Sequence, residues 1–333
     1  MSYQQIIDGQ QVIFRFPNKI IYSEQALLDY FLDRLALSED DVLIVDRGTN
    51  MAQQILKASA RCRSKVGVVV HAEHFSENMT DDNYILWNNF YEYQFEKADQ
   101  IDFFIVATAR QKEILTAQLK KYEGIDGKVF DIPVGSIDQL KKPLDDSIRK
   151  PFSIITASRL ADEKHIDWAI ESVVTAHKKL PQITFDIYGG GSQMADLKKL
   201  IDKLHASDYI RLLGHQDLSD LYQKYQLYLS TSTSEGFGLT LLEAVGSGLP
   251  IIGFDVRYGN QTFIDNGENG FLIKSDRPNE QHYDLDIVAK TIVYFFSKCD
   301  FAEFSQHSYA AAEDFLTSRV EKKWDKLLRS LND

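Results

Sequence analysis

Glu235 and Glu243 stand in the run LSTSTSEGFGLTLLEAVGSGLPIIGFDV, residues 229–256, with seven residues between them. The turn Gly236–Phe237–Gly238 separates an apolar, β-branched stretch from LTLLEAV, whose apolar positions recur at the helical period. Glu235 is therefore expected on the loop that ends a strand, and Glu243 about two turns into the following helix. Backbone N–H groups at that helix start carry about half a positive charge, and an anion such as a diphosphate fits there. Glu243 lies in the apolar context LLEAV, where an unpaired carboxylate is costly to bury. It needs hydrogen-bond donors, and sugar hydroxyls would serve. The plainer alternative is a tight strand-to-helix turn with surface glutamates, Glu243 being met by backbone or a lysine.

Four other stretches could do chemistry. ASRLADEKHID (157–167) follows the apolar run FSIIT and sets Arg159 and Lys164 at another strand end in an otherwise acidic chain. Two cations there can hold phosphate oxygens and stabilise the charge on a departing diphosphate. A solvated turn in which Asp162 and Glu163 pair with them explains the same residues. YGGGS (188–192) is a glycine run after a strand, with no G-x-G-x-x-G. LLGHQD (212–217) offers His215 and Gln216 for hydrogen bonds to a base, although a lone surface histidine is the commoner case. His71 and His74 in HAEHF (71–75) hint at a metal but lack a third ligand nearby, so His71 is better read as a polar group facing a cleft. The DLD at 284–286 opens a helix after a polar loop, where capping is the better account.

The elements that must position these residues alternate. DVLIVDRG, KVGVVVHAEHF, IDFFIVATA and KVFDIPVGS are strand candidates in the first half, and FSIITASRL, ITFDIYGGG, YIRLLGH, LYLSTSTSEG, LPIIGFDV and GFLIKS in the second, with helices between them. Continuous apolar strands separated by helices mean parallel sheets covered on both faces. Residues 3–23 look like strands around an Asp8–Gly9 hairpin turn, with Pro17 making the second an edge or broken strand. SIDQLKKPLDDSIRKP (136–151) is polar, holds two prolines and is the linker candidate. The chain from about Asp284 onward is helical. The fold class is α/β, two Rossmann-like doubly wound domains facing a cleft, and the cleft is the default site.

The totals agree with a soluble, cytoplasmic protein. The 333 residues suit two domains, and 49 acidic against 37 basic residues leave a net charge of −12, which argues against nucleic acid as a partner. Cys62 and Cys299 show no C-x-x-C spacing and read as buried thiols of a reducing compartment. No stretch approaches the ~18 apolar residues of a spanning helix.

Taken together, EGFGLTLLE and SRLADEK resemble the E-x(7)-E and Arg-Lys motifs of the retaining glycosyltransferases of family 4, which have the GT-B fold. From about residue 65 to 330, and in VVVHAEHFSEN, FDIPVGSID and STSTSEGFGLTLLEA, the chain is more closely similar to the A-subunit family of accessory-secretion glycosyltransferases. These transfer N-acetylglucosamine from its UDP sugar to Ser or Thr of serine-rich repeat adhesins. The resemblance implies that Arg159 and Lys164 hold the diphosphate, joined by the Leu239 and Thr240 amides. Glu235 and the Gly236–Phe237–Gly238 backbone would touch the donor sugar. Glu243 would bind the ribose, His215 and Gln216 would lie near the uracil, and His71 would face the sugar from the first domain. It implies no cofactor and no metal, a B-subunit homologue as partner, and peripheral association of the complex with the cytoplasmic membrane.

One departure bears on this. The family opens with a Rossmann strand and a glycine-rich loop over the donor phosphates, and nothing before VLIVDRG supplies them; DRGTN is a poor substitute. The relatives also insert a large antiparallel sheet, of which residues 1–23 look like a remnant. The expected organisation is that remnant, an incomplete first domain over 24–140, a nucleotide-sugar domain over 150–315 and a C-terminal helix over 316–333 that crosses back to the first domain. The chain is expected to be an N-terminally truncated fragment that binds UDP and transfers sugar poorly or not at all. Competing readings are a poly(glycerol-phosphate) teichoic acid glucosyltransferase, a non-catalytic acceptor-binding subunit and a nicotinamide oxidoreductase. The last lacks its glycine fingerprint.

Overall fold

Strands that are apolar at every position have no face to give to water, so each sheet of this chain must be sandwiched by helices. The computed structural model describes residues 2–6, 11–46, 49–143, 145–275 and 283–331. These form two compact units. The first takes the described residues within Met1–Val106, Lys112–Asp131 and Lys326–Asp333, and the second Ala107–Gln111 and Ile132–Asp325.

In chain order the first unit begins with β1 (Ser2–Ile6), β2 (Gln11–Phe16), β3 (Lys19–Ile21) and α1 (Glu24–Leu32). It continues with β4 (Val42–Val45), α2 (Ala52–Cys62), β5 (Lys65–Val70), β6 (Phe75–Ser76), β7 (Leu86–Trp87), α3 (Glu92–Glu96) and β8 (Phe103–Val106). Helix α4 (Ala109–Gln118), whose residues up to Gln111 group with the second unit, and β9 (Val129–Asp131) follow. The parallel sheet runs β4-β5-β8-β9, with Val68 registered between Val45 and Phe104. Strand β5, KVGVVV, is buried almost throughout, and Gly67 leaves the space that the Phe103 ring fills.

The first three strands make a separate antiparallel sheet in the order β1-β2-β3. Strand β2 is therefore central, not an edge. Pro17 falls in the turn after it, where a missing N–H removes no ladder bond. The Asp8–Gly9 turn and Arg47–Gly48 of DRGTN lie outside the described residues. Cys62 and Cys299, expected as buried, are half-buried free thiols.

The second unit holds β10 (Ser153–Ala157), α5 (Ile166–His177), β11 (Thr184–Tyr188), α6 (Met194–Lys203), β12 (Ile210–Gly214), β13 (Leu227–Ser230) and α7 (Leu239–Gly246). After these come β14 (Ile251–Phe254), α8 (Gly259–Phe263), β15 (Gly270–Ile273), α9 (Leu285–Lys298), α10 (Phe301–Glu313) and α11 (Thr317–Ser330), whose last residues group with the first unit. Six parallel strands lie in the order β12-β11-β10-β13-β14-β15. Neighbours in sequence point to opposite faces, so Ile154 enters the core on one side and Ile155 the core on the other, both fully buried.

Residues 136–151, expected as a linker, fold with the second unit. Ile137 and Leu140 pack on its core, and the Lys141 N–H donates to Gly246 O at 2.8 Å. Arg149 is buried and donates to Tyr225 O and Ser247 O. Most of the bonds that tie this polar stretch down reach backbone far along the chain, and its local pattern does not announce them. Among the described residues no helix is long and apolar enough to cross a membrane.

Candidate functional site

In the second sheet the strand order reverses between β10 and β13: later strands add outward on one side from β10 and on the other from β13. Loops leaving the carboxyl ends of two such strands diverge, and the crevice between them is where open α/β sheets bind ligands. The two loops here are 158–165 and 231–238, the stretches that carry Arg159, Lys164 and Glu235.

Backbone bonds stitch these loops together. The Thr231 hydroxyl donates to His165 O at 2.8 Å, with Lys164 O at 3.0 Å, and the Thr233 N–H donates to Glu163 O at 3.1 Å. Glu235 O accepts the Tyr258 and Gly259 N–H groups at 2.7 and 2.8 Å. Lys164 Nζ consequently donates to Glu235 Oε2 at 2.7 Å, with side chains only 13% and 16% exposed. Arg159 behaves otherwise. Its guanidinium is 78% exposed and donates to Glu163 Oε1 at 3.0 Å, the salt-bridged turn that the sequence also allowed. Exposed pairs of this kind contribute little.

Gly238, at φ +89°, is the N-cap of α7, a left-handed conformation that glycine adopts without steric cost. The first N–H groups of α7, at Leu239 and Thr240, have no acceptor within the helix and are available to a ligand. The Tyr228 hydroxyl lies 3.0 Å from Thr240 Oγ1 and 2.9 Å from Ala157 O, so it joins the end of β10 to the first turn of α7. Burial pushes this hydroxyl up to about 12, which keeps it a neutral donor.

Further along α7, Glu243 opens onto a cavity of about 620 Å³ lined also by Lys141, His215, Gln216, Tyr222 and Ser247. It is the fifth residue of its helix, one turn in rather than two. Its carboxylate accepts the Tyr222 hydroxyl at 2.9 Å. Partial desolvation raises the Glu243 pKa, opposed by that hydrogen bond and by the Lys141 charge. His215 and Gln216 are exposed, and Gln216 Nε2 donates to Leu213 O at 3.0 Å.

The glycines of YGGGS serve the backbone. A Cβ at Gly189, where φ is +127°, would lie 1.8 Å from Ser158 O, and one at Gly191 would lie 2.3 Å from Leu160 O. Only glycines let the loop after β11 lie against the loop that carries Arg159 and Lys164.

In the first unit, His74 is fully buried with Nε2 2.7 Å from Gln118 Oε1, among the rings of Phe75, Trp87 and Phe95. His71 follows β5, with its ring against Asp46 and its backbone N–H donating to the Tyr91 hydroxyl at 2.9 Å. Among the described residues no three His, Cys, Asp or Glu cluster as metal ligands. Asp284 caps α9, accepting the Asp286 N–H at 2.9 Å.

The second-unit residues named from sequence thus come together around β10, β13 and α7, apart from Arg159, whose side chain turns to Glu163. Lys141, Tyr222, Tyr228 and Thr231 were missed. The only signal for the tyrosines is their even spacing in YQKYQLY, residues 222–228. Tyr225, the middle one, faces Asp186 instead at 2.7 Å.

Comparison with known proteins finds glycosyltransferases. Residues 141–290 match the family described as glycosyl transferases group 1. The chain is 54% identical to the UDP-N-acetylglucosamine–peptide N-acetylglucosaminyltransferase GtfA subunit of Streptococcus gordonii, over 100% of this chain and 65% of that protein. The structure of the pneumococcal O-GlcNAc transferase GtfA in complex with UDP and GlcNAc superposes with a TM-score of 0.91 at 46% identity, covering 99% of this chain and 65% of the other. A GtfA/B complex structure gives a TM-score of 0.90 at 54% identity, with 99% and 65% covered.

Proposed function

We propose, on the premise that this chain belongs to the group 1 glycosyl transferases and has their GT-B fold, that it moves N-acetylglucosamine from UDP-N-acetylglucosamine to Ser or Thr of a protein acceptor. The observation that carries the reading is the meeting of Lys164, Glu235 and the start of α7 at the switch in strand order. The cavity of Glu243, His215 and Gln216 opens from the same helix.

In this reading the nucleoside occupies the cavity, where Glu243 accepts from the ribose hydroxyls and His215 and Gln216 meet the uracil. The diphosphate lies at the Leu239 and Thr240 N–H groups, with Lys164 close by and Arg159 reaching in from the surface. Glu235 and the Gly236–Phe237–Gly238 backbone meet the sugar. As the bond from the anomeric carbon to the diphosphate breaks, negative charge grows on the leaving oxygens. The helix end, and Lys164 once the diphosphate has drawn it from Glu235, meet that charge with fixed positive groups, which lowers the barrier. The departing diphosphate takes the proton of the acceptor hydroxyl on the same face, so the anomeric configuration is retained. The cation and the helix dipole supply the positive charge the step needs, and we take the reaction to be independent of metal.

The acceptor we assign is a serine-rich repeat adhesin, and the partner a B-subunit homologue. The reading is supported by identity along the whole chain to a peptide N-acetylglucosaminyltransferase subunit and by the likeness to a chain solved as a GtfA/B complex.

A transfer assay tests this. Labelled UDP-N-acetylglucosamine and UDP-glucose are offered with a serine-rich peptide or poly(glycerol phosphate), with and without a B-subunit homologue. Label from UDP-N-acetylglucosamine is expected on the peptide, reduced about 100-fold or more in Lys164→Ala. Preferential labelling of the polyol phosphate would overturn the acceptor assignment in favour of a teichoic acid glycosyltransferase.

A further inference from the structure

The cation placed deepest in the donor site already has a counterion, and that counterion is the residue assigned to the sugar. Lys164 Nζ and Glu235 Oε2 are 2.7 Å apart, both side chains are largely withdrawn from solvent, and among the described residues neither group has a second charged partner. The contact is built in rather than incidental. Thr231 and Thr233 fix the backbone of Glu163, Lys164 and His165, while Tyr258 and Gly259 fix that of Glu235. Short charge-assisted bonds between shielded groups are strong, and a ligand that wants one partner must displace the other.

We propose that Glu235 is a specificity-determining residue that sets this site against bare UDP, through a counterion exchange at Lys164. The inference rests on the donor-site reading given above. In the free site Glu235 neutralises Lys164. An arriving diphosphate takes Lys164, and the carboxylate is left without its donor. When the ligand is the UDP sugar, sugar hydroxyls replace the lost donor and the exchange is balanced. When the ligand is UDP alone, the carboxylate stays unsatisfied beside the diphosphate and competes for Lys164. The substrate is therefore favoured over its own product, and once the sugar has been transferred Glu235 returns to Lys164 and speeds UDP release.

Calorimetric titration of UDP and of UDP-N-acetylglucosamine into the wild-type chain, Glu235→Gln, Lys164→Met and the double variant tests the exchange. Glu235→Gln is expected to bind UDP about 5- to 10-fold more tightly than wild type, and to lose a similar factor in its preference for the sugar nucleotide. That gain vanishes in the Lys164→Met background, a coupling that a merely structural role for Glu235 would not produce. Unchanged or weaker UDP binding by a folded Glu235→Gln overturns the inference while leaving the donor-site reading in place. Absence of UDP binding to the wild type overturns both. If thermal melting shows that Glu235→Gln is unfolded, Glu235→Asp keeps the charge but withdraws it by one methylene. It is expected to change UDP affinity in the same direction by a smaller factor, and no change there is equally fatal.

Discussion

A carboxylate partly removed from water takes a proton early, or it takes a ligand that donates to it. Glu243, exposed overall but partly desolvated at the cavity wall, is in that position. Desolvation raises its pKa, and the Tyr222 hydroxyl and the Lys141 charge only partly reverse this. The ionised form is the one that accepts from ribose hydroxyls. UDP affinity should then be flat well above the raised Glu243 pKa and fall as the pH drops through it, at a higher pH than for an ordinary glutamate. Stability runs the other way. A folded-state pKa above the unfolded one gives a contribution fully present below the unfolded pKa and lost as pH rises through the folded one. At pH 7 the ionised group is a net cost, so Glu243→Gln is expected to melt slightly higher than wild type while binding UDP about 10-fold more weakly. Its UDP affinity should also lose the acid limb. Paired melting and titration curves at several pH values check this, and a Glu243→Gln that melts lower at pH 7 would show the desolvation argument to be wrong.

At the scale of elements, the site depends on two loops after neighbouring strands and on the glycines that let a third loop press against them. Gly189 has φ +127°, and a Cβ there would lie 1.8 Å from Ser158 O, a backbone atom that cannot swing aside. Gly189→Ala should cost about 2 kcal/mol or more in urea unfolding, from the strained backbone and the displaced loop together. It should also weaken UDP binding, because that loop leads directly into Arg159 and Lys164. An unchanged unfolding midpoint would mean that the loop yields freely. The strands themselves were legible as apolar runs, and so were Lys164, Glu235 and Glu243, because a motif on one strand–turn–helix unit keeps its meaning in one dimension. Strand order was not legible, and with it went Tyr222 and Tyr228, which matter through bonds to Glu243, Ala157 and Thr240 from other elements. The placement of β2 and of residues 136–151 was missed for a related reason. In one dimension proline and polar residues look like breaks, whereas Pro17 occupies a turn and Arg149 finds carbonyls some 75 residues away or more.

For the molecule as a whole, the chain is acidic, with a net charge of −12, yet the ligand proposed for it is an anion. Attraction must therefore be local. It comes from Lys164, withdrawn between two loops, from the first N–H groups of α7, and from Lys141 beside Glu243. Local charge of this kind, partly shielded from salt, binds a diphosphate without turning the whole surface into a sink for anions.

The measurement that bears most directly on this account is calorimetric titration of UDP into the chain with EDTA present, alongside Lys164→Ala. The account predicts saturable, one-to-one binding that EDTA leaves intact, weakened about 10-fold or more in the variant. Binding that vanishes with EDTA, or that Lys164→Ala leaves untouched, would contradict the claim that a lysine and a helix end hold the nucleotide at the switch in strand order.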